Sequence, residues 1–489
     1  MLVTCQQMSA AESRLFSTGV SPEPYMDEAG RKCSLAIRQF FPTPATAEIF
    51  CGKGNNGGDA LVVAYWLKRW GWKTNLHFSD GTEQISELAR RKLEQYREVP
   101  DPLLDPGSRE TIAVDGLLGI GASGALRGGI RDQADRMNAL RHSDWAACFA
   151  IDIPTGLNGD TGEAYEGAVK ADYTLTICQP KVGFVADSAV NFVGRLVEIP
   201  LDIPVSDGNP AVQLLFPSNL QPRLNRRPFD THKGSAGRVT IIAGSSGLTG
   251  AAALAALGAS RSGAGLVTVC VPRDIYPIVA SQCPAEVMVQ PIDSISDINF
   301  SGADVFAVGP GLGANVSDDL VDLIRKSPTP MIVDADALNA LASRSICPSA
   351  LPENRLLTPH PGELGRLTNH TGDRVSLTRQ LADEWEVTLL HKGARTVIAS
   401  PHHSTELNTT GHPGMASGGM GDVLTGACAA IAAQGIGLHD AACLGSWLLG
   451  RSAELAQANS QCAEESISAP MVAESLGQAL RDLQTSSPR

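Results

Sequence analysis

Short apolar runs recur along this chain, and most of them stop at a glycine, an asparagine or an acid. Between them lie longer stretches in which Ala, Leu and Val return at helical spacing. Strand-like runs alternating with helical stretches predict βα units and parallel sheets, so the fold class expected is α/β. In the front half the pattern places strands at 47–51, 73–78, 112–115, 147–151, 173–178 and 195–199, with helices at 10–16, 26–41 and 60–70. In the rear half it places strands at 239–243, 266–271, 305–308, 331–333, 356–358, 388–391 and 396–399. Rear helices are expected at 251–261, from 423 onwards and from 441 onwards, with a last one ending near 483. Between the halves stand Pro200, Pro204, Pro210, Pro217, Pro222 and Pro228. Proline interrupts both sheet ladders and helix interiors, so this segment reads as a linker. The boundary is placed near residue 220, giving domains 1–220 and 221–489.

In open parallel sheets ligands bind beyond the carboxyl ends of the strands. In the front half those ends carry GKGNNGGD at 52–59, VDGLLGIG at 114–121 and AIDIPTGLNGDTG at 150–162. The first is formally a GxGxxG turn with Asp80 at ribose distance, which alone is weak evidence. Its paired asparagines are the odder feature. Asn and Asp side chains with exposed carbonyls suit a hard cation, and Asn56, Asp115, Asp152 and Thr155 bring four oxygen donors to three strand ends, which points to a site. Lys170 and Lys181 flank the strand at 173–178 and read as solvated charges.

The rear half repeats the order strand, motif, helix, which gathers its chemistry along one sheet edge. The motifs are HKGSAG at 232–237, GPGLG at 309–313, VDADALN at 333–339, LTPHPGEL at 357–364 and KGART at 392–396. The stretch 414–426, GMASGGMGDVLTG, sets four glycines ahead of Asp422 and then turns apolar. Bare N–H groups at a helix mouth favour an anion such as phosphate. Asp422 beside them reads as a base that takes a proton from a substrate hydroxyl while the N–H groups hold the phosphate it attacks.

Composition narrows the field. Hydrophobic residues at 43% and charged residues at 19% describe an ordinary globular chain. A formal net charge of −13 argues against nucleic acid or an anionic membrane as the main partner. Eleven cysteines without a CxxC pair read as reduced thiols, and the opening residues show no basic stretch followed by an apolar core. A cytoplasmic chain is therefore expected, working on small molecules and assembling as a homo-oligomer.

The three front segments resemble the epimerase domain of the bifunctional NAD(P)H-hydrate repair enzymes, over roughly residues 10–210. The six rear motifs, in order, resemble the dehydratase domain of the same family, over about 225–475. The resemblance implies an N-terminal Rossmann-like three-layer sandwich and a C-terminal ribokinase-like α/β domain. It implies that Asn55, Asn56, Gly57, Gly58 and Asp59 hold the hydrated dinucleotide, together with Gly119, Ile120, Gly121, Ala122, Ser123, Gly124 and Ala125. Asp152 would contact the substrate as acid or base, and Asn56, Asp115 and Thr155 would bind potassium. In the rear half Lys392, Gly393, Ala394, Arg395, Thr396 and Gly421 would hold ADP, with magnesium on its phosphates. Ala251, Gly311, His360 and Asp422 would contact the hydrate. One departure is Ala60, where the family continues with glycine. The implied activities are R/S epimerisation of NADHX and NADPHX and ADP-dependent dehydration of the S form. The alternative is a ribokinase-like small-molecule kinase with a fused ligand-binding domain.

Overall fold

The structure is a computed structural model that describes residues 1–485 apart from 103–106, 109, 122–123, 206–207, 209, 299 and 461. It divides into two compact units, Met1–Pro210 and Ala211–Arg489. The division lies upstream of the residue 220 expected from the prolines. The reason is a short strand at 212–215 that pairs into the second sheet.

The first unit is built on β1 (Thr46–Cys51), β2 (Lys73–Phe78), β3 (Thr111–Gly116), β4 (Ala147–Ile151), β5 (Tyr173–Ile177) and β6 (Arg195–Ile199). They form one parallel sheet in the order β2-β1-β3-β4-β5-β6. Alternate side chains feed two cores. Ile49 and Cys51 pack with Cys33, Ile37 and Leu61 from helices Glu23–Phe40 and Asn55–Arg69. Phe50 packs with Ala134 and Met137 from helix Gly128–Ser143 on the other face. A parallel sheet covered on both faces explains why its strands read as nearly continuous apolar runs. The winding reverses between β1 and β3, and a crevice opens at such a switch.

The first helix begins at Cys5, earlier than its apolar spacing suggests, because Thr4 and Gln7 close a capping box. Thr4 Oγ1 accepts from Gln7 N at 3.1 Å and Gln7 Oε1 accepts from Thr4 N at 2.8 Å.

The second unit carries β7 (Val212–Leu215), β8 (Arg238–Ile242), β9 (Leu266–Pro272), β10 (Met288–Ile292), β11 (Val305–Val308), β12 (Met331–Val333), β13 (Arg355–Leu357), β14 (Thr388–His391), β15 (Val397–Ala399) and β16 (Thr405–Asn408). Their order is β10-β9-β8-β11-β12-β13-β14-β15-β16-β7. Only β15 runs against its neighbours, and β7 closes the edge parallel to β16. Here the winding reverses between β8 and β11. Val239 and Ile241 face helices Thr249–Arg261 and Met420–Ala433, whereas Ile242, Phe306 and Val308 face helices Asp318–Lys326 and Ala335–Ser343.

Two features of this unit fix positions that matter later. A Cβ on Gly258 would fall 2.3 Å from the Val423 carbonyl, and one on Gly426 would fall 1.9 Å from that of Ala255. Helices Thr249–Arg261 and Met420–Ala433 therefore meet backbone to backbone, which only glycine allows. On β13 the Arg355 guanidinium is fully buried and faces no carboxylate among the described residues. It donates instead to the carbonyls of Ile324 at 2.8 Å and Ser327 at 2.7 Å, at the end of helix Asp318–Lys326. Those carbonyls have no helical partner and carry the negative end of the helix dipole. None of the eleven cysteines is paired. Among the described residues no helix is long and apolar enough to cross a membrane.

Candidate active sites

In the first unit the three sequence segments meet at the switch between β1 and β3. NNGGD is not a loop ahead of the helix but its first turn, with Gly54 as N-cap and Asn55 the first helical residue. Gly57 must be glycine there, since a Cβ would fall 1.9 Å from the Gly52 carbonyl. Ala60 fills the space that a side chain at position 116 would take, 2.4 Å from a Cβ built on Gly116. The departure from the family pattern at Ala60 is thus matched across the strand by a glycine.

Asn56, Leu118, Thr155 and Asp115 form one hydrogen-bonded chain. Asn56 Nδ2 donates to Leu118 O at 2.8 Å, and Leu118 N donates to Thr155 Oγ1 at 3.1 Å. Thr155 Oγ1 and N donate to the two oxygens of Asp115, both at 2.7 Å, and Leu117 N adds a third bond at 3.1 Å. Burial pushes the Asp115 carboxyl up to about 6, against the pull of these bonds. Among the described residues no cationic side chain contacts it, and an all-oxygen set around a buried carboxylate fits a hard monovalent cation. Beside this chain lies a cavity of about 110 Å³ lined by Gly119, Gly124, Ala125, Ile153, Thr155 and Tyr165. Ile120 and Gly121 belong to the same loop, while Ala122 and Ser123 lie outside the described residues.

Asp152 follows β4 with φ at +65°, a left-handed conformation that is uncommon for a residue other than glycine. Its partner is Lys181, which is not solvated as the sequence suggested but fully buried, with Nζ on Asp152 Oδ1. Lys170 is exposed, as expected.

In the second unit Asp422 lies in the first turn of Met420–Ala433, behind Gly419 as N-cap at φ +90°. Burial, and then the charge of Asp334, push its carboxyl up to about 7, while Lys392 pulls the other way. Asp334 is the hub. Its Oδ1 accepts from Lys392 Nζ at 2.7 Å and its Oδ2 from Thr425 Oγ1 at 2.6 Å. Lys392 also stands 3.9 Å from Glu363. Burial works against the Lys392 charge, but Asp334 in contact, with Glu363 and Asp422 nearby, holds it above the usual lysine range. Gly421 leaves this cluster open: a Cβ there would lie 3.4 Å from Lys392 Nζ.

Gly311, at φ +62°, closes against Ala251, whose Cβ would be 2.7 Å from an added methyl. Asp336 accepts from Gly313 N at 2.8 Å. His360 caps helix Pro361–Leu367, its Nδ1 accepting from Gly362 N at 3.0 Å, with the rest of the ring exposed. The 392–396 turn rests on Arg374, which donates to the Arg395 carbonyl and backs Gly393, while Ala394 is exposed and Thr396 is buried.

A third buried group lies away from both sites. Glu406, His439 and Cys443 converge within 4.8 Å of one another, but both Glu406 oxygens already accept from Arg223. The cluster is charge-balanced without a metal and is read as packing.

Two family descriptions match the chain: YjeF-related protein N-terminus over residues 23–183 and NAD(P)H-hydrate dehydratase over 239–473. The bifunctional NAD(P)H-hydrate repair enzyme Nnr of Moorella thermoacetica is 36% identical, across 93% of this chain and 92% of its own length. That of Escherichia coli is 33% identical, across 89% and 86%. The chain belongs to the bifunctional NAD(P)H-hydrate repair enzyme family. A ribokinase-like protein from Enterococcus faecalis, 24% identical with a TM-score of 0.50 over 57% of this chain and 99% of its own, has the fold of the second unit.

Within this repair-enzyme chain the sequence-named residues of each unit lie beyond the carboxyl ends of its strands or at the helix starts that follow. Sequence reasoning missed Lys181, which looked like a surface charge, and left Asp334 as one letter of the VDADALN motif. Asp334 does hold the N-cap position of Ala335–Ser343, but its side chain caps nothing there. Thr425 and Glu363 were legible only as motif letters until Lys392 and Asp334 drew them together.

Proposed function

We propose that the first unit interconverts the R and S hydrates of NADH and NADPH and that the second dehydrates the S form at the expense of ADP. The reading is carried by Asp422, a carboxyl poised near neutrality at a helix N-terminus beside Lys392. Hydroxide leaves a ring carbon poorly. Asp422 takes the proton of the ring hydroxyl, whose oxygen attacks the terminal phosphorus of ADP as the bond to AMP breaks and AMP leaves. The carbon–oxygen bond of the resulting ester then breaks, phosphate departs with the electron pair, and loss of a proton from the adjacent ring carbon restores the double bond of the nicotinamide ring. The N–H groups of the Gly419–Gly421 turn and the Lys392 ammonium stabilise the charge that gathers on the transferred group. The 392–396 turn holds the nucleotide, and Ala251, Gly311 and His360 hold the hydrate. Magnesium, entering with the phosphates, would shield their charge, and the carboxylate of Asp336 fits it as a hard oxygen donor.

In the first unit Asp152 is the acid or base, the 55–59 turn and the 119–125 loop hold the substrate, and Asn56, Asp115 and Thr155 bind potassium. Eleven unpaired thiols suit a reducing, cytoplasmic setting.

The test is a mixture of R and S hydrate with ADP, followed by the absorbance of NADH and by free phosphate. Both should appear in equal amounts and consume the whole mixture. A stable phosphorylated alcohol with no gain in absorbance would show a kinase instead. Asp422→Asn should abolish dehydration and leave epimerisation intact.

A further inference from the structure

The two oxygens of Asp152 are not equivalent. Oδ1 accepts from Ile177 N at 3.1 Å and from the Nζ of Lys181. Oδ2 has no hydrogen-bond partner among the described residues, and the side chain keeps 12% of its surface exposed. The backbone is fixed as firmly: Asp152 N donates to Leu175 O at 2.9 Å. One oxygen is locked to the protein and the other is not.

Lys181 is held with equal care. It stands just before the short turn Val182–Val185, and its strand-like backbone bridges to Val3. Val3 N donates to Pro180 O at 3.0 Å and Val182 N to Val3 O at 2.9 Å. Its Nζ gives a further bond to Ile177 O at 3.3 Å. A fully buried ammonium is costly unless paired, and packing alone would be met by an apolar side chain.

The pair does not stand alone. Glu12 and Cys5 face it from helix Cys5–Ser17, Cys33 from helix Glu23–Phe40, Asp59 from helix Asn55–Arg69 and Cys178 from the end of β5. Burial, then the charge of Asp152, push Glu12 and Asp59 above the usual carboxylate range. Glu12 and Asp152 thus share one ammonium, and among the described residues only Asp152 is in contact with it.

We propose that Lys181 is a positioning residue for epimerisation, whose ammonium on Oδ1 holds Asp152 oriented so that Oδ2 meets the substrate. This rests on the epimerase reading of the first unit. Without it Oδ1 keeps only the Ile177 N–H, and the carboxylate is free to turn.

The test uses the full chain with mixed hydrates and ADP. The S hydrate is consumed in a fast phase and the R hydrate in a slow phase limited by epimerisation. Lys181→Met should slow the second phase at least a hundredfold at pH 7 and leave the first within twofold. The loss should fall on the kcat of the slow phase, with its KM for the R hydrate within twofold of the parent. Lys181→Arg, which keeps a charged donor for Oδ1, should retain at least a tenth of the parent rate, and it carries the test should the methionine variant not fold. A Lys181→Met slow phase within threefold of the parent, a loss that falls on KM instead, or a Lys181→Arg slow phase below a tenth of the parent's would each overturn the proposal. A parent chain with a fast phase and no slow phase would instead remove the epimerase reading, before any variant is compared.

Discussion

Replacing Asp334 by Asn should move the pH at which dehydration switches on. Asp422 needs to be ionised to act as a base, and its carboxyl sits at about 7. Between pH 6 and 8 its ionised fraction rises from about one tenth to about nine tenths, so kcat/KM should climb about tenfold. Part of that elevation comes from Asp334. Asp334 binds Thr425 Oγ1 at 2.6 Å, and Thr425 is one turn along the same helix face as Asp422. Two like charges at about 6–8 Å, at an effective dielectric of about 20, repel by about 2–3 kcal/mol, or about 1.5–2 pKa units. Lys392, already in contact with Asp334, cancels part of this, and a drop of about one unit is expected. The substitution also releases Lys392 towards Asp422, which acts in the same direction. The variant's kcat/KM, followed as NADH absorbance at saturating ADP, should therefore rise only about twofold between pH 6 and 8. The shape is the readout, since the absolute rate also falls as Lys392 loses its anchor. An unchanged tenfold rise, or a steeper one, would refute the assignment of Asp422 as the base tuned by Asp334.

Exchanging choline for potassium at constant ionic strength tests the cation site. The folded value of Asp115 is raised, so its ionisation opposes folding increasingly as pH climbs from about 4 to about 6, and by about 3 kcal/mol above that. Potassium should raise the melting temperature of the first unit at pH 7.5 and hardly at all at pH 5; equal shifts at both would exclude Asp115 as a ligand. Gly426→Ala places a methyl 1.9 Å from the Ala255 carbonyl and should cost about 2–3 kcal/mol by parting the two helices. Dehydration should fall with epimerisation unchanged, and an unaltered denaturation midpoint would contradict the contact. Arg355→Met strips the Ile324 and Ser327 carbonyls of their donor and should destabilise the second unit by about 3 kcal/mol in urea, with kcat of the folded fraction retained.

Much of this was written in the pattern of the chain. Apolar runs such as Val305–Val308 and Thr388–His391 became strands at the stated positions, because a strand buried on both faces needs no polar alternation. The site loops were legible because glycine and acid follow a strand only where backbone approaches a ligand or another chain segment. What stayed hidden was side-chain pairing across distance. Nothing near Lys181 in sequence announces Asp152, since 29 positions separate them. Asp334 lies 58 positions from Lys392, and a local reading can only make it a cap. Helix starts slipped at Thr4, where a capping box outweighed apolar spacing, and at Gly54, where NNGGD joined the helix as its first turn. The strand at 212–215 escaped notice because the prolines around it spoke for a linker.

That small strand has a practical consequence. Anyone wishing to produce the dehydrating half by itself would naturally cut where the prolines end. A fragment begun at residue 221 would lack β7, and the row of amides and carbonyls on β16 that now binds Val212–Leu215 would be bare. An uncapped ribbon of that sort invites a second copy to zip onto it, so such a fragment should clump in the tube. Starting at Ala211 keeps the seam closed.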